Sequence, residues 1–235
     1  LKERYQAGSS PLREALSRLT ADGLVTAEGQ KGFRVAGVSL REFFDVARMR
    51  LRLEVQAFAD AIRWGGHEWE VDIIAGHHRL RQVLAAVETS EQAYADHWEV
   101  THRAFHFALI RGCGSSWTLH FLEKLYDQME RYRRVFVRYH AIPSNLLAEH
   151  SRLMEAAIAR DAETALSLMR EHVLMAAELT DRDMRAGGVA DLEQVPVSIR
   201  SFLADDLPPP SAADVSAARS RRPPAARRSG LVRTP

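Results

Sequence analysis

The sequence of 235 residues contains a single cysteine, Cys113. One cysteine excludes a disulfide framework within the chain and a zinc site built from several thiolates, so any metal would be held by histidine and carboxylate side chains. The sequence also lacks a run of about 18 uncharged apolar residues, and its opening, Leu1-Lys2-Glu3-Arg4, has no apolar core of a secretory signal. We therefore expect a cytoplasmic protein without a membrane span.

Signals of the common enzyme classes are also scarce. There is no glycine-rich phosphate loop and no serine or cysteine nucleophile motif, and Cys113 is better explained as a small buried residue. His102 and His106 have the spacing of the zinc hydrolases, but Arg103 stands where the H-E-x-x-H motif has its glutamate base. A metal-dependent, hydrolase-like helical bundle is therefore the second hypothesis for this chain.

Charge is nearly balanced over the whole sequence, with 32 basic and 31 acidic residues, but it is unevenly distributed. Residues 1–40 hold six basic and four acidic side chains, and the segment from Pro208 holds six arginines and one aspartate. The stretch between them is acidic. A basic N-terminal unit joined to a larger acidic unit is typical of a protein that contacts nucleic acid at one end.

Residues 1–38 have the pattern of a winged helix-turn-helix domain. Gly8 separates two helical stretches, Ser9 or Ser10 is predicted to cap the second helix, and Gly23 is predicted to end it. Two short strands around a glycine-rich turn follow and would form the wing. The inward face of the second helix is predicted to consist of Leu12, Ala15, Leu16 and Leu19.

In a winged helix-turn-helix the second helix lies in the major groove of DNA. Arg13, near the start of that helix, is placed to pair with guanine, and Ser17 projects outward from it. Ser9 and Ser10 would hold a phosphate at the helix N-terminus, and Lys31 would contact a phosphate or the minor groove from the wing. The alternative is a small unit of helices and strands with ordinary surface charges.

From residue 39 onward the pattern changes to amphipathic helices. Ser39 and Glu42 form a capping box at the start of a long helix. Its apolar face is predicted to consist of Leu40, Phe43, Phe44, Ala47, Leu51, Val55, Phe58 and Ile62. Further helical segments are predicted at 67–88, 90–111, 115–141, 144–160 and 162–185. The predicted fold class is mainly α, with the winged head followed by an all-α bundle of six helices over residues 39–187.

Residues 188–235 are rich in proline, alanine and arginine and lack apolar periodicity. We expect this tail to be disordered. Either its arginines add nonspecific affinity for DNA, or the tail has no specific role.

Four histidines are candidates for a shared metal site. His102 and His106 are one helical turn apart on the same face, and His150 and His172 each follow a glutamate in a later helix. If these helices pack around a common axis, the four imidazoles would bind one zinc, nickel or manganese ion and leave coordination positions open. Ten histidines in the chain also make a chance pair expected, so the alternative is a structural role.

Arginine side chains are candidates for binding an anionic effector. Arg50 and Glu54 lie one turn apart on the largely apolar side of the first long helix, where charged groups need partners. Either they form a structural ion pair, or Arg50 lines an effector pocket. Arg133 is a second candidate, although the charge run around it is typical of a solvated face.

Three stretches of the head resemble the winged-helix domain of the GntR family of bacterial transcription regulators. They are P-L-R-E-A-L at 11–16, D-G-L-V at 22–25 and Q-K-G-F-R-V at 30–35. The sequence begins inside the family's second helix, so we expect the head to lack the first one. Ser9 stands where many members have an arginine, so the resemblance implies no base preference.

The histidine-bearing stretches resemble the all-α ligand-sensing domain, called FCD, in the FadR-type branch of that family. In metal-binding members the first ligand position is usually Asp or Asn, and three histidines complete the set; this chain has His102 at that first position. The resemblance therefore implies that His106, His150 and His172 are metal ligands and that His102 is the fourth.

The segment from Arg50 to Glu54 resembles the R-x-x-L-E segment of the family, which implies a pocket role for Arg50. The function implied by the whole resemblance is a DNA-binding repressor. It would act as a homodimer on a palindromic operator, under the control of a small organic acid bound at a divalent metal.

Overall fold

The computed structural model of the chain describes residues 1–85, 91–136, 145–189, 198–203 and 206. These residues form a small N-terminal head and a larger helical body. Within the described part of the chain, no helix is long and apolar enough to cross a membrane.

The head has the predicted order of a winged helix-turn-helix. Its elements are α1 (Lys2–Tyr5), α2 (Ser9–Ala21), β1 (Val25–Ala27), a single 3-10 turn (Gly29–Lys31) and β2 (Phe33–Val35). The two strands pair antiparallel, with Val25 opposite Val35. Gly23 has a φ of 71°, in the left-handed region that favours glycine, and it turns the chain from α2 into the wing.

Helix α2 begins earlier than the sequence pattern predicts. Gly8 is its N-cap, in an extended conformation, and no side chain caps the helix, so the prediction of a cap at Ser9 or Ser10 is wrong. Pro11 is the third helical residue. The missing N–H of Pro11 is tolerated there because N–H groups of the first turn have no partner within the helix.

The apolar face of α2 is only partly covered by the described residues. Leu12 and Leu16 are half-buried, whereas Ala15 and Leu19 are exposed, and no residue of this helix is fully buried. The predicted inward face is therefore wrong for Ala15 and Leu19, because no described element of the head packs across them.

The body contains the six predicted helices. They are α3 (Leu40–Trp64), α4 (His67–Ala85), α5 (Glu91–Ile110), α6 (Ser116–Phe136), α7 (Leu146–Ile158) and α8 (Ala162–Ala186), with a 3-10 turn at Arg111–Cys113 between α5 and α6. The parts of the predicted segments that fall on 86–90 and 137–144 lie outside the described residues.

Helix α3 packs against α5, α6 and α8 and so forms the centre of the body. Its fully buried side chains include Phe43, Phe44, Ala47, Ala57 and Phe58. The hydroxyl of Ser39 accepts the N–H of Glu42 at 3.2 Å, as the predicted capping box requires. The carboxylate of Glu42 also accepts the hydroxyl of Tyr132 at 2.7 Å and joins the start of α3 to α6. Cys113 is buried, in agreement with a packing role.

Part of the C-terminal tail is ordered, which corrects the prediction of disorder from residue 188. Ile199–Phe202 form a short helix, α9, that packs on α8, and Ile199 and Leu203 are fully buried. Arg48 of α3 donates to the carbonyl of Phe202 and lies over its ring. The sequence pattern missed this helix because a single turn with two apolar residues is too short to show periodicity. The arginine-rich end of the tail, 207–235, lies outside the described residues.

Candidate metal centre and DNA-binding surface

The structure brings the four candidate histidines together from three helices. His102 and His106 lie on α5, His150 on α7 and His172 on α8, and all four side chains are buried. One ring nitrogen of each lies within 4.8 Å of those of the other three. The packing of α5 with α7 and α8 therefore produces a cluster that could hold a divalent metal.

Hydrogen bonds set the tautomers of two of these rings. His106 Nδ1 donates to the Glu54 carboxylate at 2.8 Å, and His150 Nδ1 donates to the Leu146 carbonyl at 2.7 Å. In each of these rings Nε2 then carries a lone pair, and it is buried without a hydrogen-bond partner among the described residues. Nδ1 of His102 and both nitrogens of His172 are likewise buried without a hydrogen-bond partner among the described residues, although His172 Nδ1 lies 3.7 Å from the Glu149 carboxylate. Converging unpartnered nitrogens fit a bound cation, because leaving them unsatisfied is unfavourable.

Burial keeps the four imidazoles neutral. Desolvation, followed by the charges of neighbouring groups, lowers the pKa of His102, His150 and His172 well below the usual value for histidine. Desolvation also lowers the pKa of His106, but the Glu54 carboxylate opposes that shift. Neutral imidazole is the form that binds a metal, so the protonation states fit the proposed ligand set.

Glu54 connects the histidine cluster to α3 and α6. Its fully buried carboxylate accepts hydrogen bonds from His106 Nδ1, from Arg50 Nε at 2.8 Å and from the Tyr126 hydroxyl at 2.6 Å. Burial alone would raise the pKa of Glu54, but Arg50 and the bond from His106 outweigh it and hold this pKa below its usual range. The ionised carboxylate therefore orients His106 in the way that carboxylates orient metal-bound histidines.

Replacing Glu54 with glutamine is expected to destabilise the metal-free protein by about 3 kcal/mol, because it leaves the Arg50 charge buried without its carboxylate. Chemical denaturation followed by circular dichroism measures this loss. Glu14→Gln is the matched control, since Glu14 pairs with Arg18 on the exposed surface of α2. Equal denaturation midpoints for the two variants would contradict the role given to Glu54.

A cavity of about 340 Å³ opens beside the histidines. Its lining includes Arg50, Trp98, His102, Arg133, Glu149 and His172. A cavity of this size suits a small organic molecule. Arg50 both pairs with Glu54 and lines the cavity, so its two predicted roles are compatible.

Arg133 does not lie on a solvated face. Its side chain is buried and forms a two-pronged ion pair with Glu99, with Nε and a terminal nitrogen at 2.8 and 2.7 Å from the two carboxylate oxygens. The interpretation of Arg133 as a surface charge is therefore wrong. The pair is neutral overall, and the Arg133 guanidinium forms part of the cavity wall.

Some residues of the site were missed by the sequence analysis. Trp98 stacks on His102 with ring centroids 4.2 Å apart, and Glu99 lies on the same face of α5, one turn before His102. The spacing of Glu99 and the two histidines on α5 was a signal that could have found it. Tyr126 gave no such signal, because its partner Glu54 is 72 residues away in the sequence.

The predicted DNA-contact residues all lie on the exposed surface of the head. Ser9, Ser10, Arg13 and Ser17 are on α2, and Lys31 is in the turn of the wing. They lie on the helix expected to be the recognition helix and on the wing, and their contacts with DNA stay predictions.

Comparisons with known proteins agree with this division into a head and a body. The model of the family described as "Bacterial regulatory proteins, gntR family" matches residues 1–35, and the model of the FCD domain matches residues 45–175. The HTH-type transcriptional repressor GlaR of Escherichia coli is 42% identical over 178 residues, which cover 74% of this chain and 80% of GlaR. The uncharacterized HTH-type transcriptional regulator BphR of Paraburkholderia xenovorans is 39% identical over 173 residues, covering 74% of this chain and 71% of BphR.

Solved structures share the fold. McbR/YncC of Escherichia coli has a TM-score of 0.58 at 22% identity, covering 74% of this chain and 82% of that one. A GntR family member from Pseudomonas syringae has a TM-score of 0.54 at 20% identity, covering 80% of this chain and 77% of that one.

The relatives and the family are transcription regulators and not enzymes, so the hypothesis of a hydrolase-like bundle is rejected. The basic head, with its exposed helix α2, is the part of the chain that the gntR family model matches. The helical body, with its histidine cluster, is the part that the FCD model matches. The chain belongs to the GntR family of bacterial DNA-binding transcription regulators, with an FCD domain as its helical body.

Proposed function

We propose that the protein is a cytoplasmic, homodimeric repressor whose affinity for operator DNA is controlled by a small organic acid bound at a zinc ion in the FCD domain. The observation that carries this proposal is the buried cluster of four neutral histidines beside a cavity whose wall contains Arg50 and Arg133. A metal ion held by these nitrogens would bind one carboxylate of a dicarboxylic acid, and a cationic side chain would bind the other.

His102, His106, His150 and His172 would hold the ion. Imidazole ligands favour zinc or nickel over manganese, which prefers oxygen ligands. We propose zinc as the metal, with nickel as the alternative. When bound, such an ion would supply a Lewis acid, and a carboxylate oxygen would enter as a fifth ligand beside the four imidazoles. The four imidazoles contribute no negative charge, so the cluster favours an anion.

The arginines of the cavity wall would orient the acid. Arg50 is held by Glu54 and by the Tyr126 hydroxyl at 3.1 Å, so its guanidinium is fixed before a ligand arrives. Arg133 is fixed in the same way by Glu99. Positive groups held in place by other side chains bind an anion with little loss of conformational freedom.

The sequence resemblance narrows the acid further. The stretch from Leu1 to Arg18 and the tripeptide Arg131-Tyr132-Arg133 resemble the glutarate-responsive repressors of bacterial lysine and glutarate catabolism. We therefore propose a short dicarboxylate as the effector class.

Two copies of the chain would present two α2 helices to the two halves of a palindromic operator. The bound acid would favour one arrangement of the heads. It would change the affinity for DNA only to the extent that the acid binds the two arrangements differently.

A thermal-shift scan of the zinc-loaded protein tests the effector site. We expect one of succinate, glutarate and adipate to stabilise it by about 2.7 kcal/mol at a hundredfold excess over the Kd, and butyrate to stabilise it much less. Arg133→Lys is expected to weaken this response, because lysine lacks the planar two-pronged geometry. Arg134→Lys is the matched control, since Arg134 pairs with Glu130 near the surface. The proposal fails if no acid stabilises the wild-type protein or if Arg133→Lys responds as the wild type does.

A further inference from the structure

One face of α6 holds the C-terminal end of helix α2. Lys124 Nζ lies 2.7 Å from a carboxylate oxygen of Asp22, and Gln128 Nε2 donates to the Asp22 carbonyl at 2.6 Å. One turn further along, Arg131 approaches the carbonyl of Gly23 at 3.5 Å. These three side chains follow the four- and three-residue spacing of a single helix face. They reach the head from the body.

The contact suits the chemistry of a helix end. The last carbonyls of a helix have no partner within it, and the C-terminus carries partial negative charge. Gln128 satisfies the carbonyl of Asp22, the C-cap of α2, and the ammonium of Lys124 lies in the same region. The approach is close, because a Cβ on Gly23 would lie 3.3 Å from the amide nitrogen of Gln128.

The same helix also holds the connection between the head and the body. Arg131 donates to the carbonyl of Gly37 and lies 3.5 Å from the Glu42 carboxylate. The hydroxyl of the next residue, Tyr132, donates to Glu42 at 2.7 Å. A displacement of α6 would therefore move the end of α2 and the linker together.

Another face of α6 forms part of the histidine and arginine site. Tyr126, two residues before Gln128, donates to Glu54, which in turn accepts from His106. Arg133 of α6 lines the cavity through its pair with Glu99. A single rigid helix thus contacts a candidate metal ligand network on one side and the DNA-binding head on the other.

We propose that α6 couples the cavity to the recognition helix α2, with Gln128 as the positioning residue that fixes the end of α2 to the body. This inference rests on the proposed function, because it assumes that a ligand in the cavity biases the head. The alternative is that the cavity is coupled to the head through α3 and the connecting residues 36–39, which join the two covalently. Continuous packing is not in itself evidence of coupling, so the link is tested by breaking it.

Gln128→Glu breaks the link with little change of shape. The substitution replaces the donating amide with a carboxylate oxygen that faces the Asp22 carbonyl, while the remaining oxygen can still accept from Arg131, as Gln128 does at 2.9 Å. Gln56→Glu is the matched control. Gln56 is exposed on α3 and bonds only to Asp60 among the contacts described, so it receives the same chemical change far from the head.

Hydrogen–deuterium exchange of the zinc-loaded full chain, with and without whichever of succinate, glutarate and adipate stabilises it, measures the coupling. In the wild type and in Gln56→Glu we expect the acid to change exchange in α5, α8 and α2, by about fivefold or more in α2. In Gln128→Glu we expect the change in α5 and α8 to remain and the change in α2 to be lost. Lys124→Gln, which weakens the same contact, is a second variant that should reduce the α2 response.

The outcomes separate this inference from the proposed function. A response of α2 that persists in both variants would overturn the coupling through α6 and leave the effector site intact. The coupling would also be overturned if α5 and α8 responded in the wild type while α2 did not. No response of α5 and α8 in the wild type would overturn the proposed effector site, and the coupling with it.

Discussion

Replacing His106 with alanine is expected to release the metal from the FCD domain. His106 is the ligand that the buried carboxylate of Glu54 orients, so this change removes one of four nitrogens and breaks the link between the metal site and Glu54. The three remaining imidazoles hold an ion less tightly. We expect wild-type protein to keep about one zinc per chain through dialysis against a weak chelator, as a four-ligand site does, and His106→Ala to lose it. Elemental mass spectrometry of the dialysed proteins measures this.

The control for this experiment lies on the same helix. His97→Ala removes an exposed imidazole of α5 that is outside the cluster, and it should leave the metal content unchanged. His106→Gln, which preserves more of the side-chain volume, repeats the test if the alanine variant is poorly folded. Full metal content in both His106 variants would show that the ligand set is wrong.

Replacing Arg13 with alanine is expected to abolish specific operator recognition. A bidentate arginine–guanine contact contributes about 1–3 kcal/mol, and a two-fold dimer makes it twice, so we expect a loss of about 2–6 kcal/mol in specific binding. Arg13 is exposed near the start of α2, where side chains of a recognition helix reach base edges. Fluorescence anisotropy on a duplex enriched by the wild-type protein from a random-sequence pool measures this loss.

A comparison with unrelated DNA separates base recognition from general attraction. Arg63→Ala removes the same charge from the exposed end of α3 and should leave specific binding nearly unchanged. Lys31→Ala, in the wing, should weaken binding to all sequences similarly, as expected for a phosphate contact. If Arg13→Ala bound the enriched duplex as tightly as Arg63→Ala does, the docking of α2 in the major groove would be wrong.

The helices of the body were predictable because each one carries its own pattern. The apolar spacing along α3 and the glycines that follow Trp64 determine its face and its end, and the structure places both where the pattern indicates. The histidines could also be identified as candidate metal ligands from the local sequence, since the spacing of His102 and His106 places them on one helix face. Such features depend on residues a few positions apart.

The features that were missed depend on tertiary contacts. The burial of Arg133 requires Glu99 from another helix, and the order of Ile199 and Leu203 requires the surface of α8 and α3 beneath them. The exposure of Leu19 on α2 has the same kind of cause, because periodicity predicts an apolar face but does not supply the element that covers it.

The network around Glu54 shows why the site is more than four ligands. One carboxylate joins Arg50, His106 and Tyr126, so it links the cavity wall, the histidine cluster and helix α6. A ligand that contacts Arg50 or the cluster therefore acts on a connected set of buried polar groups, which is rigid when every member is satisfied.

Control of DNA binding by the FCD domain is tested by the affinity of the zinc-loaded protein for its enriched duplex, measured with and without the dicarboxylate that stabilises the protein. We expect the acid to change this affinity by a factor between about 5 and 150, and the duplex to change the affinity for the acid by the same factor. An unchanged affinity for the duplex, with calorimetry showing the acid bound, would contradict control of DNA binding by the FCD domain.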